Sequence, residues 1–107
     1  MPKYSSQGGL LTKTRIEKPK MYNVVFHNDD ITTMEFVVHV LRVVFFKSTE
    51  QATQLMLNVH HDGSAIVGTY TYDIALSKAN KAMLMAKESS FPLRITVIPQ
   101  DPNDLPF

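Results

Sequence analysis

The most constraining feature of this chain is a short polar loop, Asn28-Asp29-Asp30, at which the hydrophobic pattern changes its period. The preceding residues 21–26 are rich in β-branched and aromatic side chains and predict a strand. After the loop, apolar residues recur at helical spacing, at positions 36, 37, 40, 41 and 44. At such a strand-to-helix junction, Asn and Asp side chains commonly accept hydrogen bonds from the backbone. Two carboxylates and a carboxamide, with no Lys or Arg in the loop, favour a cationic ligand.

The helical segments that follow have recognisable start and stop signals. Thr32 and Glu35 have the spacing of a capping box, and predict a first helix from Thr33 to about Phe46. Ser48 and Gln51 repeat that spacing at the start of a second helix. Ala52, Leu55, Met56 and Val59 give this helix one buried stripe, and Gly63 is placed to end it.

The second half of the chain predicts two more strands around a third helix. Residues 65–70 are short, β-branched and aromatic, and residues 93–97 alternate between apolar and polar. Thr71 is placed to cap the third helix, with Asp73 in its first turn. Alanines at 75, 79, 82 and 86 form a stripe of small residues, which indicates close packing against another layer. The pattern β-α-α-β-α-β predicts an α+β fold in which three helices cover a small sheet, with the strand order left open.

Composition excludes several classes of protein. A chain of 107 residues with 44% hydrophobic content fits a single domain with one core. A net charge of +1 argues against a nucleic-acid binder that depends on bulk electrostatics, and the absence of cysteine excludes disulfides and thiolate metal sites. No apolar run approaches the roughly 20 residues of a membrane span, and no signal-peptide core follows Lys3. We expect a cytoplasmic protein.

The chain divides into a domain, predicted at residues 21–98, and two flanking segments. Residues 1–20 hold five lysines and arginines against the single acidic residue Glu17, and predict a flexible basic arm. The arm serves either as a functional extension or merely as an untethered terminus. Residues 99–107 contain three prolines and predict an irregular tail.

Enzymatic readings find little support in the residues. Glu35 and His39 are helical neighbours, but a metal site there would need further ligands from His60 or His61, and a surface pair is the simpler interpretation. The acidic loop lacks the spacing and glycine of a calcium-binding loop, and no serine nucleophile motif is present. We therefore expect neither a metal nor another cofactor, and no catalytic residues.

The loop and the second helix together resemble the bacterial ClpS family. The similar segments are Asn28-Asp29-Asp30-x-Thr32-x-Met34-Glu35-Phe36, Ala52-Thr53-Gln54-Leu55-Met56-Leu57 and Val59-His60, within a match of about residues 20–97. The resemblance implies a non-enzymatic adaptor of the N-degron pathway with three antiparallel strands and three helices. Such adaptors grip the free N-terminus of a substrate and pass it to the ClpA unfoldase of the ClpAP protease. The implied substrates begin with Leu, Phe, Tyr or Trp, and the arm is implied in their delivery.

The resemblance also implies a role for individual residues. Asn28, Asp29 and His60 hold the α-amino group, and Asp30 shapes the loop. The side chain of the first substrate residue enters an apolar pocket formed by Ile31, Thr32, Met34, Val37, Met56, Val59 and Leu93. On the third helix, Asp73 and Lys78 face the N-terminal domain of ClpA, and the adaptor is expected to act as a monomer.

The residues alone leave simpler alternatives open. Asn-Asp-Asp at a helix start is commonly turn chemistry, Met56 and Val59 fit an ordinary core, and Asp73 and Lys78 fit a solvated surface. Family members usually have Tyr where this chain has Ile31 and Pro where it has Thr33, which affects the pocket entrance and the loop. The alternative function is a small interaction domain that docks a partner through the third helix without N-degron specificity.

Overall fold

A computed structural model of the protein describes residues 18–104. Its elements are β1 Met21–His27, α1 Met34–Val43, α2 Thr49–Asp62, β2 Ser64–Thr71, α3 Tyr72–Glu88 and β3 Arg94–Pro99. β1 is the central strand and pairs antiparallel with β2 on one side and β3 on the other. The predicted α+β fold is confirmed. Residues 1–17 of the predicted arm and 105–107 of the predicted tail lie outside the described residues.

The hydrophobic core lies between the sheet and the helices. Tyr22, Val24 and Phe26 alternate along β1 and pack in this core, which residues from all three helices complete. Phe26 and Leu41 are fully buried, and burial of a side chain of this size contributes about 1.5–3 kcal/mol. Within residues 18–104, no helix has both the length and the apolar character to cross a membrane.

The third helix packs closely because its inner stripe is small. Ala75, Ala79, Ala82 and Ala86 are each at most 1% exposed, and α3 contacts all three strands. α1 and α2 pack against each other, and α2 also contacts β2. The small-residue stripe predicted from the sequence is therefore confirmed as the contact between α3 and the sheet.

The first helix begins one residue later than its predicted cap. Its N-cap is Thr33, whose hydroxyl accepts from the Phe36 N–H at 3.2 Å, so the predicted capping box of Thr32 and Glu35 is wrong. The Thr32 hydroxyl instead donates to the Asp29 carboxylate. Thr33 has φ −74°, within the range of about −65 ± 15° that a proline would impose. Thr33 therefore has the backbone angle that a proline at this position would impose.

The first helix ends at Val43, three residues before the predicted end near Phe46. Phe46 adopts the left-handed φ of 56°, and the Lys47 N–H turns back to donate to the Leu41 carbonyl at 3.1 Å. Val44 and Phe45 remain buried beyond the helix end. The apolar pattern of the sequence therefore extends beyond the end of the helix.

The second helix has both predicted ends. Ser48 and Gln51 form a complete capping box, and Gly63 ends the helix with φ 91°. The predicted stripe is only partly buried. Ala52 and Val59 are buried, whereas Leu55 and Met56 are half-buried.

Later boundaries differ in detail from the prediction. Thr71 occupies the N-cap position of α3, but its hydroxyl donates to the Asp73 carboxylate at 3.0 Å rather than capping the helix. β2 runs one residue further at each end than predicted, and β3 starts at Arg94 and continues to Pro99. The Gln100 N–H extends the pairing by donating to the Met21 carbonyl.

Candidate functional site

A cavity of about 520 Å³ opens where the β1–α1 loop, the start of α1 and the end of α2 meet. It is lined by Asn28, Asp29, Asp30, Ile31, Thr32, Thr33, Met34, Glu35, Val37, Met56, Val59 and His60. Every residue that the sequence assigned to the amino group or the pocket lines this cavity, except Leu93. Residues from two separate segments of the chain thus share one site.

The loop at the cavity mouth is organised by Asp29. One oxygen of its carboxylate accepts from the N–H groups of Ile31 and Thr32, at 2.8 and 2.7 Å, and the other accepts from the Thr32 hydroxyl at 2.8 Å. Partial burial raises the pKa of Asp29, but these three hydrogen bonds outweigh it and hold the pKa below its ordinary value of 3.8. The second oxygen keeps a lone pair for a ligand. Among residues 18–104, Asp30 makes no comparable side-chain hydrogen bond with the loop, so Asp29 shapes it.

A backbone hydrogen bond joins the loop to the end of α2. The Asn28 N–H donates to the Gly63 carbonyl at 2.9 Å, three residues beyond His60. Both Asn28 and His60 are exposed and line the cavity, so their polar groups are accessible from solvent. The geometry of Gly63 therefore influences the relative position of the two side chains.

Replacing Gly63 by alanine is expected to destabilise both the fold and the site. A Cβ at this position meets no atom within 4 Å, so the cost is that of the left-handed backbone, about 1–2 kcal/mol. In a domain of this size, this lowers Tm by roughly 4–16 °C. Gly63→Asn is the matched control, because asparagine tolerates this conformation better. A Tm for Gly63→Ala equal to that of the wild type, measured by thermal unfolding, would contradict this role.

The inner wall of the cavity is apolar and comes from both helices. Val37 and Val59 are 6% and 3% exposed, so they belong to the core as well as to the wall. Met56 is half-buried, whereas Met34 is 43% exposed at the first position of α1. Ile31 is 65% exposed and lies at the outer edge. Flexible methionines on this wall suit a site that accepts side chains of several shapes.

The cavity differs from the sequence-based set at three positions. Leu93 is 6% exposed and lines a neighbouring groove with Met83 and Phe91. Ile31 lines both this groove and the cavity. Thr33 and Glu35 line the cavity, although the sequence suggested Glu35 only as a capping residue and as a neighbour of His39. Thr33 and Glu35 are the direct neighbours of Met34 in the sequence. This position next to a predicted pocket residue is the signal from which both could have been predicted to line the cavity.

The charge of the site is negative. Asp29, Asp30 and Glu35 all line the cavity, together with the Asn28 amide and the His60 ring. No lysine or arginine lines it in the part of the chain that the structure describes. Those residues also contain no group of three or more His, Asp or Glu side chains arranged to hold a metal ion. The site suits an organic cation that carries an apolar group.

Asp73 and Lys78 lie on α3, away from the residues that line the cavity. The Lys78 ammonium donates to the Val44 carbonyl at 2.9 Å and lies 4.4 Å from the centroid of the Phe46 ring. Asp73 is exposed and accepts from the Thr71 hydroxyl. Lys78 thus joins α3 to the end of α1.

The small α+β domain and its acidic, apolar-walled cavity suit a binding protein rather than a metal-dependent one. The family model described as "ATP-dependent Clp protease adaptor protein ClpS" matches residues 17–96. The chain therefore belongs to the ClpS family of adaptor proteins of the ATP-dependent Clp protease. The resemblance and the adaptor function predicted from the sequence are confirmed.

The match to individual relatives covers most of the length of each relative. The chain is 49% identical over 88 residues to the ClpS adapter of Lawsonia intracellularis, covering 82% of this chain and 81% of that protein. It is 49% identical over 89 residues to that of Acetivibrio thermocellus, with 83% and 90% covered. Among solved structures, Agrobacterium tumefaciens ClpS2 bound to L-phenylalaninamide is similar, with a TM-score of 0.75 and 42% identity. That match covers 78% of this chain and all of the other.

Proposed function

We propose that this adaptor binds proteins through a free N-terminal amino group and a bulky first side chain, Leu, Phe, Tyr or Trp, and delivers them to the ClpA unfoldase of ClpAP. The observation on which this rests is the cavity, where acceptor groups and carboxylates at the mouth adjoin an apolar wall. The ligand of the Agrobacterium relative, phenylalaninamide, combines an α-amino group with an aromatic side chain. Its chemistry matches the two parts of this cavity.

The polar part provides acceptors for an ammonium group. A peptide's α-amino group has a reference pKa of about 7.7–8.0, so it is largely protonated at neutral pH. The Asn28 amide oxygen and a neutral His60 ring each accept one N–H, and Asp29 contributes a lone pair and a negative charge. Because the Asp29 carboxylate is already fixed by Ile31 and Thr32, it is held in place before the ligand arrives. Such preorganisation reduces the ordering cost of binding.

The apolar part receives the first side chain. Burial of Leu or Phe against Val37, Met56 and Val59 contributes about 1.5–3 kcal/mol, and each hydrogen bond to the charged amine adds a similar amount. Several kcal/mol of association cost oppose these gains. Further backbone contacts would leave a micromolar-class affinity, about −8 kcal/mol. An adaptor that must release its cargo requires an interaction of this modest strength.

The docking of the unfoldase is assigned to α3. Asp73 and Lys78 contact the N-terminal domain of ClpA in this proposal, on a surface separate from the cavity, so cargo and unfoldase are bound together. The adaptor acts as a monomer in the cytoplasm, without catalytic activity or a cofactor. The basic arm takes part in delivery of the substrate to the unfoldase. Residues 1–17 of this arm lie outside the described residues.

A titration with peptides that differ only in their first residue tests the proposed binding. Peptides that begin with Leu, Phe, Tyr or Trp are expected to bind in the micromolar range, and peptides that begin with Ser or Glu at least about tenfold more weakly, since these side chains gain nothing from the apolar wall. Fluorescence anisotropy with purified protein measures this. Equal affinity for all six would favour the alternative of a docking domain without N-degron specificity.

Binding is expected to weaken as the pH falls from about 7.5 to about 5.5. A histidine that accepts from an ammonium must be neutral, and histidines take up a proton at about pH 6.5 in model peptides. The α-amino group becomes more fully charged over this range, so it favours the opposite trend. Asp29 stays ionised because its pKa is lowered by hydrogen bonds that outweigh its burial. Burial and the nearby Arg94 lower the pKa of His27, so His27 takes up a proton less readily than an ordinary histidine.

The control for this pH dependence is His60→Gln, which retains an acceptor that does not titrate. Its affinity for a Leu-initiated peptide, measured by anisotropy across the same range, should change much less than that of the wild type. A wild-type affinity that does not fall with pH would exclude His60 as an acceptor and leave Asn28 and Asp29 to hold the amine.

A further inference from the structure

An exposed aromatic residue lies at the end of α1 in an unfavourable backbone conformation. Phe46 is 79% exposed and has φ 56°, a region that bulky residues rarely adopt and that glycine or asparagine usually occupies after a helix. Neither burial nor backbone preference explains a phenylalanine at this position. Its ring is available for contact with another molecule.

Lys78 fixes the Phe46 ring in place. The ammonium group donates to the Val44 carbonyl at 2.9 Å and lies 4.4 Å from the centre of the Phe46 ring and 5.4 Å from that of Tyr70. A cation–π contact of this kind restrains an exposed aromatic ring. Lys78 keeps further N–H donors for a partner. An aromatic side chain restrained before binding loses little conformational entropy on docking.

The surroundings of Phe46 are apolar and cationic. Val43 is 42% exposed and lines a surface groove together with Phe46, Arg42 and Lys47. His39 also lines this groove, and Lys78 contacts the Phe46 ring from α3. Glu35, at the other end of this groove, is seven residues before Arg42, about 10 Å along the helix axis. The surface near Phe46 is therefore complementary to a partner that has an apolar recess bordered by carboxylates.

We infer that Phe46 is the apolar anchor of the surface that docks the unfoldase, and that it inserts into a recess bordered by acidic side chains on ClpA. The inference rests on the proposed docking through Asp73 and Lys78, because Lys78 belongs to that surface and contacts the Phe46 ring directly. A few residues usually account for most of the binding energy of an interface, and aromatic side chains, Phe among them, are enriched at interface cores. The docking surface then extends from α3 across the end of α1.

The test measures binding of the full-length chain to purified ClpA, for wild type, Phe46→Asn and Phe46→Gly. Both variants relieve the left-handed backbone, so their Tm should be equal to or above that of the wild type. Their affinity for ClpA should fall at least tenfold, while affinity for a Leu-initiated peptide stays within twofold. Arg42→Glu should also weaken binding to ClpA, and Leu57→Ala, which removes an exposed apolar side chain on α2, should not.

Unchanged ClpA affinity in both folded Phe46 variants would overturn the inference. Asp73→Lys separates this result from the underlying proposal. If Asp73→Lys weakens ClpA binding and the Phe46 variants do not, docking through α3 stands and only the anchor is wrong. If neither change has an effect, the proposed docking surface itself is wrong.

Discussion

Acetylation of a Leu-initiated peptide is expected to abolish most of its binding to this adaptor. The acetyl group removes the positive charge and replaces an ammonium with an amide that has a single N–H. Asp29, Asp30 and Glu35 at the cavity mouth lose their counter-charge, and the acceptors of Asn28 and His60 lose donors. With two or three charge-assisted hydrogen bonds at about 1.5–3 kcal/mol each, the loss is at least about 100-fold. Anisotropy with the free and acetylated forms of one peptide measures it.

Single substitutions are expected to show how much each of the two acceptors contributes to binding. Asn28→Ala and His60→Ala should each weaken binding of the free peptide by roughly 10- to 150-fold, the value of one hydrogen bond to a charged group. Two matched controls should have little effect. Asn80→Ala removes an exposed amide on α3, and His61→Ala removes the exposed neighbouring imidazole, which is bonded to Asp62 outside the cavity.

The acetylated peptide also separates two explanations of the cavity. If it binds as tightly as the free form, the cavity recognises only the side chain, and the assignment of Asn28 and His60 to the amine is wrong. If the free peptide binds and both Ala variants retain full affinity, the carboxylates alone hold the amine. Unchanged Tm values for these exposed positions would show that the fold is intact.

The elements of this fold were predictable because their signals are local. The capping box of Ser48 and Gln51 and the left-handed Gly63 depend on residues within one turn of each other, and both were predicted correctly. The end of α1 was not, because Val44 and Phe45 continue the apolar spacing and a bulky Phe46 gives no sign of a left-handed φ. The hydrogen bond from Lys47 to Leu41, which closes the helix, is visible only in three dimensions.

The site was predictable in its residues more than in their roles. Thr32 and Thr33 both have the chemistry of a helix cap, and the sequence cannot tell that the Asp29 carboxylate binds Thr32 and leaves the cap to Thr33. The resemblance places Leu93 in the pocket, and in the structure it lines an adjacent groove that shares Ile31 with the cavity, so its role stays a prediction. The contact between the Asn28 N–H and the Gly63 carbonyl joins residues far apart in the chain, and no local pattern predicts it.

We expect selectivity for the first side chain to depend on Met34. It is the first residue of α1 after the cap and lines the cavity beside the amino-binding loop, where it can press on the first Cβ of a substrate. Leu and the aromatic residues branch beyond Cβ, whereas Ile and Val carry an extra carbon on it. Forcing such a carbon against packed atoms typically costs about 1–3 kcal/mol. Met34 is therefore expected to exclude β-branched first residues by steric contact.

Met34→Ala is accordingly expected to raise the affinity for Ile- and Val-initiated peptides by roughly 5- to 150-fold, while Leu and Phe change little. Because Met34 is 43% exposed, its removal leaves the core intact. The contrasting variant is Met56→Ala, which shortens the inner wall and should weaken all four peptides together. Anisotropy with four peptides against three proteins measures the pattern. A parallel loss for all four peptides in Met34→Ala would instead place Met34 among the wall residues and leave the exclusion of Ile and Val to another part of the cavity.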